Sequence, residues 1–236
     1  MNALGILVFA RMNSARLPGK VLMDFAGMPM VLWILRRAQR LNMPIALACS
    51  RECADDALEE VVHSAGFPVY RGELDDVLAR AIAAAGHFSW THFARLCADR
   101  PFFNVDEMRT GLAIADNQPR LDLISNNLSG QAKAGLSTEI IRVAALKQAA
   151  QNSAQMRHRE HLSAYIYDHP SLFQTYPLIQ HALPAWLKTQ RFAVDTLADY
   201  RRLSLIAKNF TPDIALESAF QSERAHSSHE QIDARA

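Results

Sequence analysis

The densest chemistry in the sequence lies between residues 10 and 20, which read Ala-Arg-Met-Asn-Ser-Ala-Arg-Leu-Pro-Gly-Lys. Arg11, Arg16 and Lys20 bring two guanidiniums and an ammonium into one short loop, a set suited to forked and point contacts with phosphate oxygens. Ser14 adds a hydroxyl, and Gly19 leaves room for backbone N–H groups to approach an anion. A solvated basic loop is the plainer alternative. The loop is not a P-loop: Ser14 stands where that motif has its first glycine, and Val21 where it needs a Mg²⁺-binding Ser or Thr. No Gly-x-Gly-x-x-Gly occurs in the chain, which disfavours a dinucleotide-dependent dehydrogenase. Two carboxylates, Asp99 and Asp195, each follow a short apolar run, 93–97 and 192–194. Both therefore emerge at strand ends, and both precede helical patterns that an N-cap aspartate would serve equally well.

Such a loop needs a frame. Residues 4–10 form a continuous apolar run, as expected of a parallel strand buried on both faces. Past the loop, Pro29 opens a helix whose stripe is Met30, Val31, Ile34, Leu35, Ala38 and Leu41, with Arg36, Arg37 and Arg40 largely off it. The alternation continues with strands at 44–49, 67–70, 92–97 and 121–125. Helices are predicted at 55–65, 74–87 and 105–115, with Asp55, Asp56, Asp75 and Asp76 near helix N-termini, where they complement the dipole. Strands and helices alternating at this spacing predict an α/β fold: a mostly parallel (mixed) central sheet with helices on both faces.

From Asn126 the rhythm changes, and 126–190 reads as an excursion from the sheet used for dimerisation or acceptor specificity. It holds a Gly/Ser-rich stretch, a strand at 138–142, helices at 143–151 and 159–167, and a strand at 172–178. A short strand at 192–194 and helices at 197–208 and 212–220 close a single domain over 1–221. Residues 222–236 are polar and read as a disordered tail.

The 236 residues carry 25 Lys and Arg against 24 Asp and Glu, a net charge of +1, which excludes global attraction to nucleic acid. The distribution is uneven. Residues 1–40 hold six basic side chains against Asp24 alone, whereas 51–80 hold eight acids against three arginines. A basic front end on a neutral chain points to a local anion site. No run approaches the roughly 20 apolar residues of a membrane span. The first nine residues lack the basic region of a signal peptide, and three cysteines cannot all pair, so a reducing cytoplasm is expected. Cys49 and Cys53 have no second ligand pair nearby, which leaves zinc unsupported.

The pattern Arg11…Ser14…Arg16-Leu17-Pro18-Gly19-Lys20 closely resembles the N-terminal signature of CMP-sugar synthetases, Ala-Arg-x-x-Ser-x-Arg-Leu-Pro-Gly-Lys. The signature is shared by CMP-KDO synthetase and by SpsF-type cytidylyltransferases of surface-polysaccharide synthesis. Resemblance to the SpsF type continues in collinear order over about residues 4–210. Arg71-Gly72 with Asp75-Asp76-Val77-Leu78, Asp99-Arg100-Pro101, and Gly135-Leu136 with Glu139 resemble its motifs. So do Arg159-Glu160-His161 with Tyr165-Ile166-Tyr167, and Val194-Asp195-Thr196. Three positions depart from the family pattern: Phe9 replaces Gln or Asn, Arg100 replaces Cys, and Ser137 replaces Asp.

The resemblance implies a Rossmann-like nucleotidyltransferase fold and transfer of CMP from CTP to an acidic sugar of the 3-deoxy-ulosonic or nonulosonic type. It implies nucleotide contacts from Ala10, Arg11, Ser14, Arg16, Gly19, Lys20 and Asp76, with Lys20, Arg11 and Asp99 catalytic. Asp99 and Asp195 become ligands of Mg²⁺, which needs only one or two carboxylates besides phosphate oxygens and water. Glu139, Arg159 and His161 are expected to face the acceptor, although helix packing would explain the last two equally well. A homodimer is implied. The departures keep two alternatives open: a nucleotidyltransferase with another base or acceptor, and a homologue that binds nucleotide without turning it over.

Overall fold

The computed structural model describes residues 3–179, 187, 189–208, 210–215 and 218–220. Strands β1 (Leu4–Phe9), β2 (Ile45–Ser50), β3 (Val69–Gly72) and β4 (His92–Cys97) alternate with helices α1 (Met30–Ala38), α2 (Asp56–Ser64) and α3 (Val77–His87). Helix α4 (Val105–Asn117), β5 (Leu123–Ser125), β6 (Glu139–Arg142), α5 (Val143–Asn152), α6 (Met156–Glu160), α7 (Ala164–Asp168), β7 (Thr175–Pro177) and α8 (Leu197–Ala207) follow. The seven strands form one sheet in the order β3-β2-β1-β4-β6-β5-β7. Every neighbouring pair is parallel except those of β6, which runs antiparallel to β4 and β5.

Burial follows from strand alternation. Leu4, Ile6 and Val8 of β1 join the core shared with α1, α2, α4 and α8, while Leu7 and Phe9 face the core under α3, α5 and α7. The connection from β1 leads to β2 on one side, and β4 pairs on the other. The β1–β4 boundary is thus a topological switch point, where the carboxyl ends of open α/β strands leave a crevice. No helix among the described residues is long and apolar enough to cross a membrane.

Several expectations change. The stretch 126–190 contributes β6 and β7 to the sheet, so its strands are part of the framework rather than an excursion from it. Residues 192–194 form no strand; backbone bonds from Phe192 N to the Ala134 carbonyl (3.1 Å) and from Val194 N to the Asp99 carbonyl (2.8 Å) fix them as an irregular segment. The helix expected at 159–167 is broken between α6 and α7, where Ser163 turns inward to donate to Glu139 at 2.8 Å. Arg37, expected off the apolar stripe of α1, is nonetheless 1% exposed. It donates to the carbonyls of Phe103, Pro212 and Ile214, and burial lowers its pKa to about 10. Pro212 and Asp213 form a turn instead of opening a helix, and the tail expected at 222–236 lies outside the described residues.

Gly135 couples the framework to the segment that carries Asp195. Its φ is +90°, and a Cβ there would lie 2.3 Å from the Phe192 carbonyl carbon. Backbone cannot yield at that distance. Gly135→Ala is therefore expected to destabilise the protein by roughly 3 kcal/mol, as read by denaturant unfolding at neutral pH.

Candidate active site

Lys20 leaves the β1–α1 loop and is 8% exposed. Its ammonium donates to Asp99 Oδ2 at 2.8 Å and to the Val194 carbonyl at 2.7 Å, and lies 4.0 Å from Asp195 Oδ1. One cation thus joins the loop, the end of β4 and the 194–195 segment. Asp195 also accepts from Arg16 at 2.7 Å and from Arg191 at 2.9 Å. Behind it, Thr196 and Asp199 form a capping box at the start of α8, which orients the chain bearing Asp195. Asp195 itself is therefore not the helix cap.

The loop is held from below by Asp55, which is 1% exposed. Its carboxylate accepts from Met12 N (2.7 Å) and from both Ser50 N (2.8 Å) and Ser50 Oγ (2.5 Å). The dipole role expected of Asp55 gives way to this tie between the loops after β1 and β2. Gly19, at φ +71°, spends its N–H on the Met12 carbonyl at 2.8 Å. Its part is to turn the chain, and Ser14 N is likewise spent on Met12.

These groups surround a cleft of about 510 Å³ at the carboxyl ends of β1 and β4, within the usual size range of small-molecule sites. Ala10, Arg11, Ser14, Arg16, Lys20, Asp99, Asp195 and His161 all line it, as do Arg100 and Glu160. Four predicted residues are placed elsewhere. Gly19 is one. Asp76 caps α3 through Ala79 N at 2.8 Å and pairs with Arg159 at 3.2 Å. Arg159 also donates to the Ala150 and Ser153 carbonyls, so the two residues fasten α6 to α3. Glu139 is 4% exposed and does not line the cleft.

Two cleft arginines escaped the sequence reading. Arg95 sits on β4 directly opposite Glu139 of β6 and donates to it at 2.7 Å. Arg80 of α3 is 3% exposed, with its guanidinium 5.9 Å from the Phe9 ring centre. The signal for Arg95 was present, since a charge inside an apolar strand demands a partner or a task.

The cytidylyltransferase family model matches residues 5–224. The chain belongs to the cytidylyltransferase family. Its group is the SpsF and CMP-KDO synthetase-like one, and the protein is a nucleotidyltransferase. A relative from Methanocaldococcus jannaschii, an uncharacterised protein, is 31% identical over 89% of this chain and 85% of its own. The Bacillus subtilis spore coat polysaccharide biosynthesis protein SpsF is 28% identical over 87% of each. Among solved structures, a cytidylyltransferase of Leptospira borgpetersenii superposes with a TM-score of 0.87 at 23% identity, over 97% of this chain and 96% of that one. CMP-2-keto-3-deoxy-manno-octonic acid synthetase in complex with CTP gives 0.66 at 17% identity, over 88% and 99%. A Mycobacterium tuberculosis protein in complex with manganese gives 0.60 at 18%, over 87% and 99%.

Two of this cytidylyltransferase's departures from the family pattern belong together. Arg100 donates to the Ser137 hydroxyl (2.5 Å) and carbonyl (3.2 Å). It makes no ion pair with neighbouring Asp99 among the described residues, so the added cation leaves that carboxylate to Lys20.

The Glu139 network also sets an acid limit. Burial alone would raise the Glu139 pKa, but Arg95 together with the Tyr167 and Ser163 hydroxyls holds it below the ordinary 4.5. A lowered folded-state pKa stabilises the protein above the unfolded value and loses that contribution as pH falls through the folded one. Glu139→Gln is expected to cost roughly 3 kcal/mol at pH 7, because Arg95 loses its partner. Below pH 4.5 the variant's stability should fall less steeply than wild type, as denaturant titrations on both sides of that pH would show.

Proposed function

We propose that the protein transfers CMP from CTP to an acidic sugar of the 3-deoxy-ulosonic or nonulosonic type, releasing pyrophosphate, in surface-polysaccharide synthesis. The observation that carries this reading is the gathering of Arg11, Arg16 and Lys20 with Asp99 and Asp195 around one cleft. Support comes also from family membership, from the part the relative SpsF plays in spore coat polysaccharide biosynthesis and from the CTP complex of the synthetase neighbour.

In this reaction the acceptor hydroxyl oxygen attacks the α-phosphorus, and the bond to the β-phosphate oxygen breaks in line with it. Arg11 and Arg16 meet the departing phosphates with forked donors, while Lys20 supplies a fixed point charge. Because Lys20 is already desolvated and held by Asp99 and the Val194 carbonyl, its charge needs little reorganisation as negative charge develops. Ser14 and Ala10 border the nucleotide. His161, on the cleft wall, takes the hydroxyl proton.

The donor set fits a hard divalent cation. Asp99 and Asp195 both approach the Lys20 ammonium, and two carboxylates with phosphate oxygens complete a Mg²⁺ shell. The described residues hold no cluster of three metal-ligating side chains, so such an ion depends on the nucleotide for most of its ligands. When bound, it polarises the α-phosphate and lowers the pKa of the attacking hydroxyl. The manganese complex of the mycobacterial neighbour supports this assignment. The reading includes a reducing cytoplasm, in keeping with the free thiols of Cys49, Cys53 and Cys97, and a homodimer.

A pyrophosphate-release assay with Mg²⁺, the four nucleoside triphosphates and a set of sugar acids tests the proposal. Release is expected with CTP and an acid together. Lys20→Ala and Asp99→Asn should each lower kcat/KM by about 10²-fold or more. Full activity in both variants, if folded, would refute the assigned roles.

A further inference from the structure

The transfer reading uses the side chains of the 10–20 loop and leaves open what sets the loop's shape. Its hub is the backbone of Met12. The Met12 carbonyl accepts from Ser14 N at 2.9 Å and from Gly19 N at 2.8 Å, so the stretch from Ser14 to Gly19 leaves and rejoins the loop at one residue. The Met12 N–H is the remaining backbone group, and it donates to Asp55 Oδ1 at 2.7 Å. Lys20 is fixed separately, by Asp99 and the Val194 carbonyl. Asp55 thus supplies a buried tie midway between β1 and Lys20.

Asp55 is itself held on its far side. It stands just before α2 and does not line the cleft. Its Oδ2 accepts from Ser50 N and Oγ, so the two oxygens bridge two loops. The Ser50 carbonyl in turn accepts from Arg71 Nε, and the Glu52 carbonyl from Arg71 Nη2, each at 2.8 Å. Asp56 and Glu59 pair with the same guanidinium at 2.7 and 2.8 Å. The Arg71-Gly72 motif, which has no part in the transfer reading, therefore steadies the turn that carries Ser50. Burying a carboxylate to 1% exposure is costly unless its donors are in place. The bridge also requires an acid. An amide offers one acceptor oxygen, and its nitrogen cannot accept from either backbone N–H.

We propose that Asp55 is a positioning residue for the triphosphate, acting through Met12 to set the cations of the 10–20 loop. The inference rests on the transfer reading above. Arg11, Ser14 and Arg16 flank Met12 and line the cleft. Releasing Met12 N displaces them together, while Lys20 keeps its own anchors. A shift of about 1 Å is enough to spoil forked contacts. Because Arg11 and Arg16 meet the departing phosphates, the loss falls on CTP and largely spares a nucleotide that lacks them.

The test is calorimetric titration with CTP and with CMP, both in Mg²⁺, of wild type, Asp55→Asn, Asp55→Ala and Ser50→Ala. Asp55→Asn is expected to weaken CTP about tenfold at unchanged stoichiometry, the scale of one lost charge-assisted hydrogen bond. CMP should weaken by about threefold at most. Asp55→Ala should cost more CTP affinity than Asp55→Asn. Ser50→Ala, which leaves the Met12 bond in place, should stay within about twofold of wild type. Stoichiometry separates positioning from packing, since a partly unfolded sample binds fewer equivalents at the wild-type affinity. The milder Asn variant decides the matter if the Ala variant fails to fold. CTP affinity unchanged in Asp55→Asn, equal losses for CTP and CMP, or a Ser50→Ala loss as large as that of Asp55→Asn would each overturn the proposal. An Asp55-dependent CTP affinity without pyrophosphate release from any sugar acid would leave the positioning role standing and sink the transfer reading instead.

Discussion

A single buried ammonium organises the functional end of this molecule. Lys20 reaches Asp99 and the Val194 carbonyl, partners 79 and 174 residues away in sequence. Removing such a charge from water is costly unless it is both paired and hydrogen-bonded, so the three segments cannot drift apart without exposing or orphaning it. The backbone bond from Val194 N to the Asp99 carbonyl closes the same junction from the other side. Much nearby detail follows from that constraint. Gly135 lacks a side chain because the Phe192 backbone occupies the space beside it. Phe192 in turn leads straight to the residues that meet Lys20.

Topology explains why the fastening falls where it does. Chain leaving β1 turns toward β2, while β4 lies on the other flank, so the loops after β1 and β4 diverge and leave a hollow between them. The antiparallel β6 then does something a further parallel strand would not. It returns along β4 in a register that sets Glu139 directly across from Arg95, with side chains on one face of the sheet. A charged strand residue that would otherwise be uncompensated thereby becomes a fixed element of the cleft wall.

The parallel half of the fold was legible because its signals are local. The apolar run of β1, the Pro29 start of α1 and the stripe of α3 all depend on neighbours within a few residues. Residues 126–194 read less well: the strand at 138–142 was legible, but its place in the sheet rests on long-range antiparallel pairing, and 192–194 is fixed by isolated bonds to Ala134 and Asp99. The loop carrying Arg11, Arg16 and Lys20 was visible because its chemistry is contiguous. Asp76, Arg159 and Glu139 lie off the cleft lining for the opposite reason. Motif position says that a residue matters but not which way its side chain points, and all three are spent on structural contacts. The burial of Arg37 was not legible, because helical periodicity cannot anticipate carbonyls brought in from Pro212 and Ile214.

Seen as electrostatics, a chain with a net charge of +1 gathers cations and carboxylates around one cleft rather than spreading a basic surface. On the Lys20 side, cations alternate with the carboxylates of Asp99 and Asp195, so the site without ligand is nearly balanced and the charge is already held in place. Arg80 and Arg95 line the same cleft, and the Nε of each has no hydrogen-bond partner among the described residues. Arg100 could have disturbed the balance by neutralising Asp99, but Ser137 holds it away. The paired departures at 100 and 137 therefore leave Asp99 to Lys20.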